Sequence, residues 1–113
     1  MHLLTRTDEI AAFCDEARIE GLVGIDMEFE RERTYRPILQ LVQAATRGRA
    51  VLIDPLADAD LSPLWEMIAD PEVEVVLHAG MQDMEIAWTE SGGLLPKNVF
   101  DTQIAAALLG MGE

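Results

Sequence analysis

The residue pattern predicts a mixed α/β sheet flanked by helices. From Leu22 to Phe29 the chain alternates with period two, placing Val23, Ile25, Met27 and Phe29 on one side and Gly24, Asp26 and Glu28 on the other. Two more strand-like runs follow after short joins, Ile38 to Ala45 and Ala50 to Ile53, which gives an antiparallel three-strand meander. Beyond them, segments of helical period alternate with a short β-branched run, as expected where parallel strands are added to a meander.

The elements can be justified in order. After a short apolar start at Leu3 and Leu4, Thr7 is placed to cap a helix with Asp8 and Glu9 in its first turn, where the dipole favours acids. Ile10, Phe13, Cys14 and Ala17 share one face of that helix, and Gly21 ends it. The meander follows, with an Arg-rich connector through Pro37 and a turn at Gly48; Asp54 and Pro55 close its last strand. Leu61 to Ala69 reads as a helix turning Leu64, Trp65 and Ile68 inward, with Pro63 tolerated in the first turn. Val73 to Leu77 reads as a buried strand. The next helix begins around Gly80, carries an inward stripe of Met84, Ala87 and Trp88, and ends at Gly92 and Gly93. A brief extended piece from Lys97 to Phe100 leads to a last helix, Gln103 to Leu109, capped by Asp101 or Thr102. Its run from Ile104 to Leu109 is apolar almost throughout, so it calls for more protein against it, from the same polypeptide or another copy.

A length of 113 residues with 50% hydrophobic content fits one domain with its own core. The chain shows neither a signal-peptide pattern nor a run of about 18 apolar residues, so a cytoplasmic protein is expected. Cys14, the single cysteine, falls on the inward face of the first helix and is expected to be a buried small hydrophobe. The formal net charge of −13 weighs against a phosphate-binding surface. Carboxylates gathered to hold divalent cations reverse that argument locally, because the loaded site carries the metal's charge. The cations also cluster: Arg31, Arg33 and Arg36 crowd around Tyr35, either as a solvated connector offsetting Glu30 and Glu32 or as a phosphate contact.

Asp26 and Glu28 lie two apart on one strand and so point the same way, a geometry that can present two carboxylates to a hard cation. The same pair also fits an ordinary solvated sheet face. Asp83, in the first turn of a helix, is explained equally by the helix dipole or by a metal. His78 follows a buried strand, where it can contact a substrate or simply bond at the strand end. Asp54 and Asp101 suit turn and cap roles, and Trp65 and Trp88 suit the core.

Taken together, these words resemble the ribonuclease D branch of the DEDD 3'-5' exonucleases. Asp26-Met27-Glu28-Phe29 resembles the first exonuclease motif, and Arg31, Arg33, Thr34, Tyr35 and Pro37, with Leu39, Leu41 and Gln43, resemble its continuation into the second strand. Ile53-Asp54-Pro55-Leu56 matches the end of the third strand, and His78-Ala79-Gly80 with Asp83 resembles the second motif. Leu95-Pro96-Lys97 and Asp101-Thr102-Gln103 resemble the stretch that follows, so the match runs through almost the whole chain in order.

The resemblance implies a ribonuclease H-like fold, of which residues 1–113 form the N-terminal portion of a single exonuclease domain, C-terminally incomplete. It implies hydrolysis at the 3' end of RNA, with DNA left open as an alternative, by two Mg²⁺ or Mn²⁺ ions about 3.5 to 4 Å apart. Asp26, Glu28 and Asp83 would be the catalytic metal ligands, and Met27, Phe29, Arg33, Tyr35 and His78 would approach a single-stranded RNA or tRNA-like 3' end. Core packing suits Phe29 better than stacking on a base. Met27 stands where the family most often has threonine, which removes no ligand. The third motif, a Tyr-x-x-x-Asp on a later helix, is not found in the 113 residues, so weak or no activity is expected from these residues alone. The rival expectation is a non-catalytic scaffold of the same fold that self-associates or binds a partner through its last helix.

Overall fold

The computed structural model describes residues 1–31 and 37–110. Ten elements follow the order β1 (His2–Leu4), α1 (Thr7–Glu20), β2 (Leu22–Arg31), β3 (Pro37–Ala45), β4 (Ala50–Ile53), α2 (Ser62–Ile68), β5 (Glu74–Leu77), α3 (Met81–Ser91), β6 (Val99–Asp101) and α4 (Thr102–Leu108). The strands form one sheet in the order β1-β4-β3-β2-β5-β6. β2, β3 and β4 are the expected antiparallel meander, while β1 joins β4, β5 joins β2, and β6 joins β5, all in parallel. Leu3 and Leu4, read from sequence only as an apolar start, belong to the edge strand β1; three residues are too few to show a period.

Alternation on the strands divides the sheet into two faces. Val23, Ile25 and Met27 of β2, Val42 and Ala44 of β3, Val51 and Ile53 of β4, and Val75 and Leu77 of β5 are buried in the core with residues of α1, α2 and α3. Within α1, Ile10, Phe13, Cys14 and Ala17 are buried as the spacing predicts, and fully burying a side chain such as Ile10 or Phe13 contributes about 1.5–3 kcal/mol each. Gly21 takes φ 71° and its N–H closes the helix on the Ala17 carbonyl at 2.8 Å. The N-terminal cap differs from expectation. Thr7 is the first helical residue, its hydroxyl accepts the Asp60 N–H at 2.9 Å, and Glu9 reaches back to the Thr5 and Arg6 N–H groups instead.

Two further corrections concern helix faces. Trp88, expected in the core, is 53% exposed, and Ile86 and Ala87 are the buried residues of α3. Spacing fixes which residues share a face but not which face packs, and here Ile86 and Ala87 rather than Trp88 set the contact line, with Met84 partly buried against it. Ile104 and Leu108 of α4 and the capping Leu109 are exposed, as the apolar run predicted, and no residue of α4 is buried. Among the described residues no helix is long and apolar enough to cross a membrane.

Candidate active site

β2 is the spine of the site. Antiparallel β3 accompanies it along its length, but the parallel partner β5 pairs only with Leu22, Val23 and Gly24. Beyond Gly24 the β5-side edge of β2 therefore lacks a strand partner among the described residues, and its amides need another acceptor. Asp83 supplies one. It lies in the first turn of α3, which starts four residues after β5 ends, and its carboxylate is stabilised by the Met27 N–H.

That placement brings Asp83 against Asp26. Partial burial, then the charge of Asp26, push the Asp83 carboxyl up to about 6; the Met27 N–H opposes the shift and Asp101 adds to it. Two acids separated by 57 residues thus meet around the free edge of β2, one from the strand and one from the helix layer. They do not share a cavity. Asp26 lines a groove of about 300 Å³ on the open face of the sheet, with Gln43, Val76, His78 and Thr102, while Asp83 lines a small hollow beneath β2 with Met27 and Met84.

Glu28 is exposed on the same face of β2 as Asp26, one pleat further on, and a register shift in the β2–β3 ladder falls between Glu28 and Phe29. Among the described residues no three His, Cys, Asp or Glu side chains stand as a ready metal cage, so Asp26, Glu28 and Asp83 are not gathered into one ligand set. Oxygen donors and mutual repulsion are nonetheless the chemistry a hard divalent cation satisfies. Asp26 and Asp83 supply oxygen donors of that kind.

His78 occupies the groove end of β5. Its Nδ1 lies 2.8 Å from the Thr102 Oγ1, and that hydroxyl donates its one hydrogen to the Leu77 carbonyl at 3.2 Å. The hydroxyl oxygen must then accept from His78, which places the ring hydrogen on Nδ1 and keeps Nε2 out of that bond. Met27 is buried and carries the amide that meets Asp83, and Phe29 is partly buried against the core, as its alternation predicted. Arg33 and Tyr35 lie outside the described residues.

Sequence reasoning missed two contributors. Gln43, directly across from Asp26 on β3, lines the same groove; its signal was the register of the meander, which fixes cross-strand pairs. Asp101 was read only as a helix cap. It does cap α4, accepting the Gln103 and Ile104 N–H groups, but it also accepts those of Ala79 and Gly80, more than twenty residues earlier in the chain. No local pattern announces a contact at that separation.

Comparison with known proteins fits this arrangement. The family model described as 3'-5' exonuclease matches residues 1–113, and the chain belongs to that family. Its similarity runs to ribonuclease D: it is 49% identical over 117 residues to the ribonuclease D of Jannaschia sp., covering 99% of this chain and 30% of that protein. The ribonuclease D of Nitrobacter hamburgensis is 42% identical over 114 residues, covering 100% and 30%. Among solved structures, Escherichia coli RNase D, described as an exoribonuclease involved in structured RNA processing, superposes with a TM-score of 0.88 at 39% identity, covering 96% of this chain and 29% of that one. The fold is accordingly the ribonuclease H-like one, and the chain spans about a third of the length of these relatives.

Proposed function

We propose that this chain is the N-terminal part of a 3'-5' exonuclease domain of the ribonuclease D type, hydrolysing phosphodiester bonds at the 3' end of RNA in the cytoplasm. The observation that carries the reading is the meeting of Asp26 and Asp83 at the unpaired edge of β2. Asp26 and Asp83, with Glu28 two residues from Asp26, would hold Mg²⁺ or Mn²⁺. When bound, such ions supply a hydroxide nucleophile and charge stabilisation at the scissile phosphate.

The residues of this chain contribute holding and orientation. The Met27 N–H fixes the Asp83 carboxylate against the strand, so the two acids remain apposed even though they repel. Thr102 fixes the His78 ring at the rim of the groove that Asp26 lines, where the hydrogen-free Nε2 can accept from a sugar hydroxyl. Phosphate contacts are best sought in the segment from Arg31 to Arg36. Several cations elsewhere are already committed: Arg18 pairs with Asp70, Arg49 with Glu16 and Arg6 with Asp8, while Lys97 donates to the Ala69 carbonyl. The likeness to E. coli RNase D, whose described role is in RNA processing, supports RNA as the substrate.

Isothermal titration with Mn²⁺ tests the reading. The wild-type chain is expected to bind the ion and Asp26→Asn to lose most of that binding; equal binding by the two forms would rule out the site.

A further inference from the structure

The turn that joins β5 to α3 is strained and unusually well anchored. Ala79 has φ 54°, in the left-handed region that side chains with a Cβ disfavour. Gly80 is buried, and a Cβ there would come within 2.6 Å of the Leu77 side chain, so the backbone approaches as closely as it can. What holds this turn is the Asp101 carboxylate. Its Oδ1 accepts from the Ala79 N–H at 3.0 Å and its Oδ2 from the Gly80 N–H at 2.9 Å. The same Oδ1 accepts from Gln103 at 2.9 Å and Ile104 at 3.4 Å, so one carboxylate ties the start of α4 to the start of α3. β6 brings it there by pairing Asp101 with Leu77 in parallel register.

The Gly80 carbonyl in turn accepts the first hydrogen bond of α3, from the Met84 N–H at 3.0 Å. Pinning Gly80 therefore fixes the axial position and rotation of the first turn of α3, in which Asp83 is the third residue. We propose that Asp101 is a positioning residue for the Asp26–Asp83 site: by clamping the Ala79 and Gly80 amides it delivers Asp83 to the free edge of β2. The role assigned to that site rests on the exonuclease reading, but the clamp itself is a matter of geometry. Asp101 is assigned no ligand role at the site and positions Asp83 through the turn.

Asp101→Asn tests this. The amide nitrogen must replace one oxygen, and on the Oδ2 side it faces the Gly80 N–H, donor against donor. Asparagine remains a good cap for α4, so the fold is retained. The readout is backbone hydrogen exchange at Met27, the amide that Asp83 engages, in the metal-free chain at neutral pH. Loss of the clamp is expected to speed Met27 exchange about tenfold, the effect of losing roughly one hydrogen bond, while the buried strand amide of Val51 keeps its wild-type rate.

Asp70→Asn, which disturbs the Arg18 pair and the Glu72 turn well away from the site, serves as the destabilised control and is expected to leave the ratio of Met27 to Val51 exchange unchanged. Asp101→Ser retains a capping hydroxyl but is too short to reach Gly80, and should reproduce the Asn result. Unchanged or slower Met27 exchange in both Asp101 variants would overturn the proposal. Mn²⁺ titration of the wild type separates the two claims: bound Mn²⁺ with unaltered Met27 exchange removes the clamp and keeps the site, whereas faster Met27 exchange without any Mn²⁺ binding keeps the clamp and removes the metal role.

Discussion

Asp83 and Asp26 flank the stretch of β2 that lies beyond its pairing with β5, near enough that burial of Asp83, and after it the charge of Asp26, push the Asp83 carboxyl up to about 6. A raised carboxyl pKa in the folded state means that the neutral form is favoured by folding. The associated stability is fully present below pH 3.8 and is lost as pH rises through about 6, leaving a constant penalty above. Asp83→Asn keeps an oxygen for the Met27 N–H and removes the charge. In EDTA at pH 7.5 it is expected to be more stable than the wild type by an amount on the order of 1 kcal/mol, discounted for solvent screening, and equally stable at about pH 4. Urea melts at the two pH values measure this; an Asn variant no more stable at pH 7.5 would mean that the two acids do not oppose each other.

The same repulsion predicts a metal response. A divalent cation held between the two acids should raise the wild-type melting temperature, since a ligand that binds only the folded state stabilises it by mass action. Asp83→Asn, though the more stable protein in EDTA, should gain little from Mn²⁺. The crossing of the two melting series as Mn²⁺ is added is the expected result, and parallel series would speak against a shared cation.

How much of this was legible beforehand differs between fold and site. The meander strands could be read almost to the residue, because a sheet with one buried face writes its period into every second position, as Val23, Ile25 and Met27 show. Helix faces were less secure. Trp88 looked inward by spacing from Met84, yet tertiary packing chose Ile86 and Ala87. In the site, the words around Asp26 and Asp83 identified the acids individually, but nothing local could show that they meet, since that depends on β5 stopping short along β2. Asp101 is the clearest case: its cap role is a short-range pattern and was read, whereas its grip on Ala79 and Gly80 exists only once β6 lies beside β5.

Cys14 should be chemically silent while the chain is folded. It is 1% exposed, and burial pushes its thiol up to about 12, with Arg18 pulling weakly the other way. At pH 8 only about one molecule in ten thousand would carry the thiolate that reacts with alkylating reagents. Iodoacetamide labelling followed by mass spectrometry is expected to track unfolding in urea and to be negligible without it. Because the folded pKa lies above the unfolded 9.0, this group's contribution to stability is intact below pH 9 and declines as pH rises from there toward 12. Rapid labelling in native buffer would show α1 to be open at its core face.

His78 should be locked in one tautomer. Thr102 spends its hydrogen on the Leu77 carbonyl, so the ring nitrogen beside it must donate. Nitrogen chemical shifts of the neutral imidazole are expected to show hydrogen on Nδ1. Thr102→Val removes the acceptor while keeping the side-chain shape, and should return the ring to the mixture found in free histidine. A wild-type ring already in that mixture would contradict the chain of bonds from Leu77 to His78.

Gly80 offers a steric test of the turn that carries Asp83. Its φ of −85° suits any residue, so backbone preference does not explain a glycine here. Space does: an added Cβ would lie 2.6 Å from the Leu77 Cδ1 and 2.7 Å from its Cβ, and Leu77 is itself buried and cannot withdraw. Gly80→Ala is therefore expected to cost about 1–3 kcal/mol, the usual range for overpacking, although alanine is the better helix former. Ala79→Gly, one residue earlier, should have the opposite character, since φ 54° suits glycine and relieves the strain of a Cβ. Chemical denaturation of both variants decides the matter. A Gly80→Ala protein as stable as the wild type would show that the strand and the helix are not wedged together at Leu77, and that the turn has room to move Asp83 away from β2.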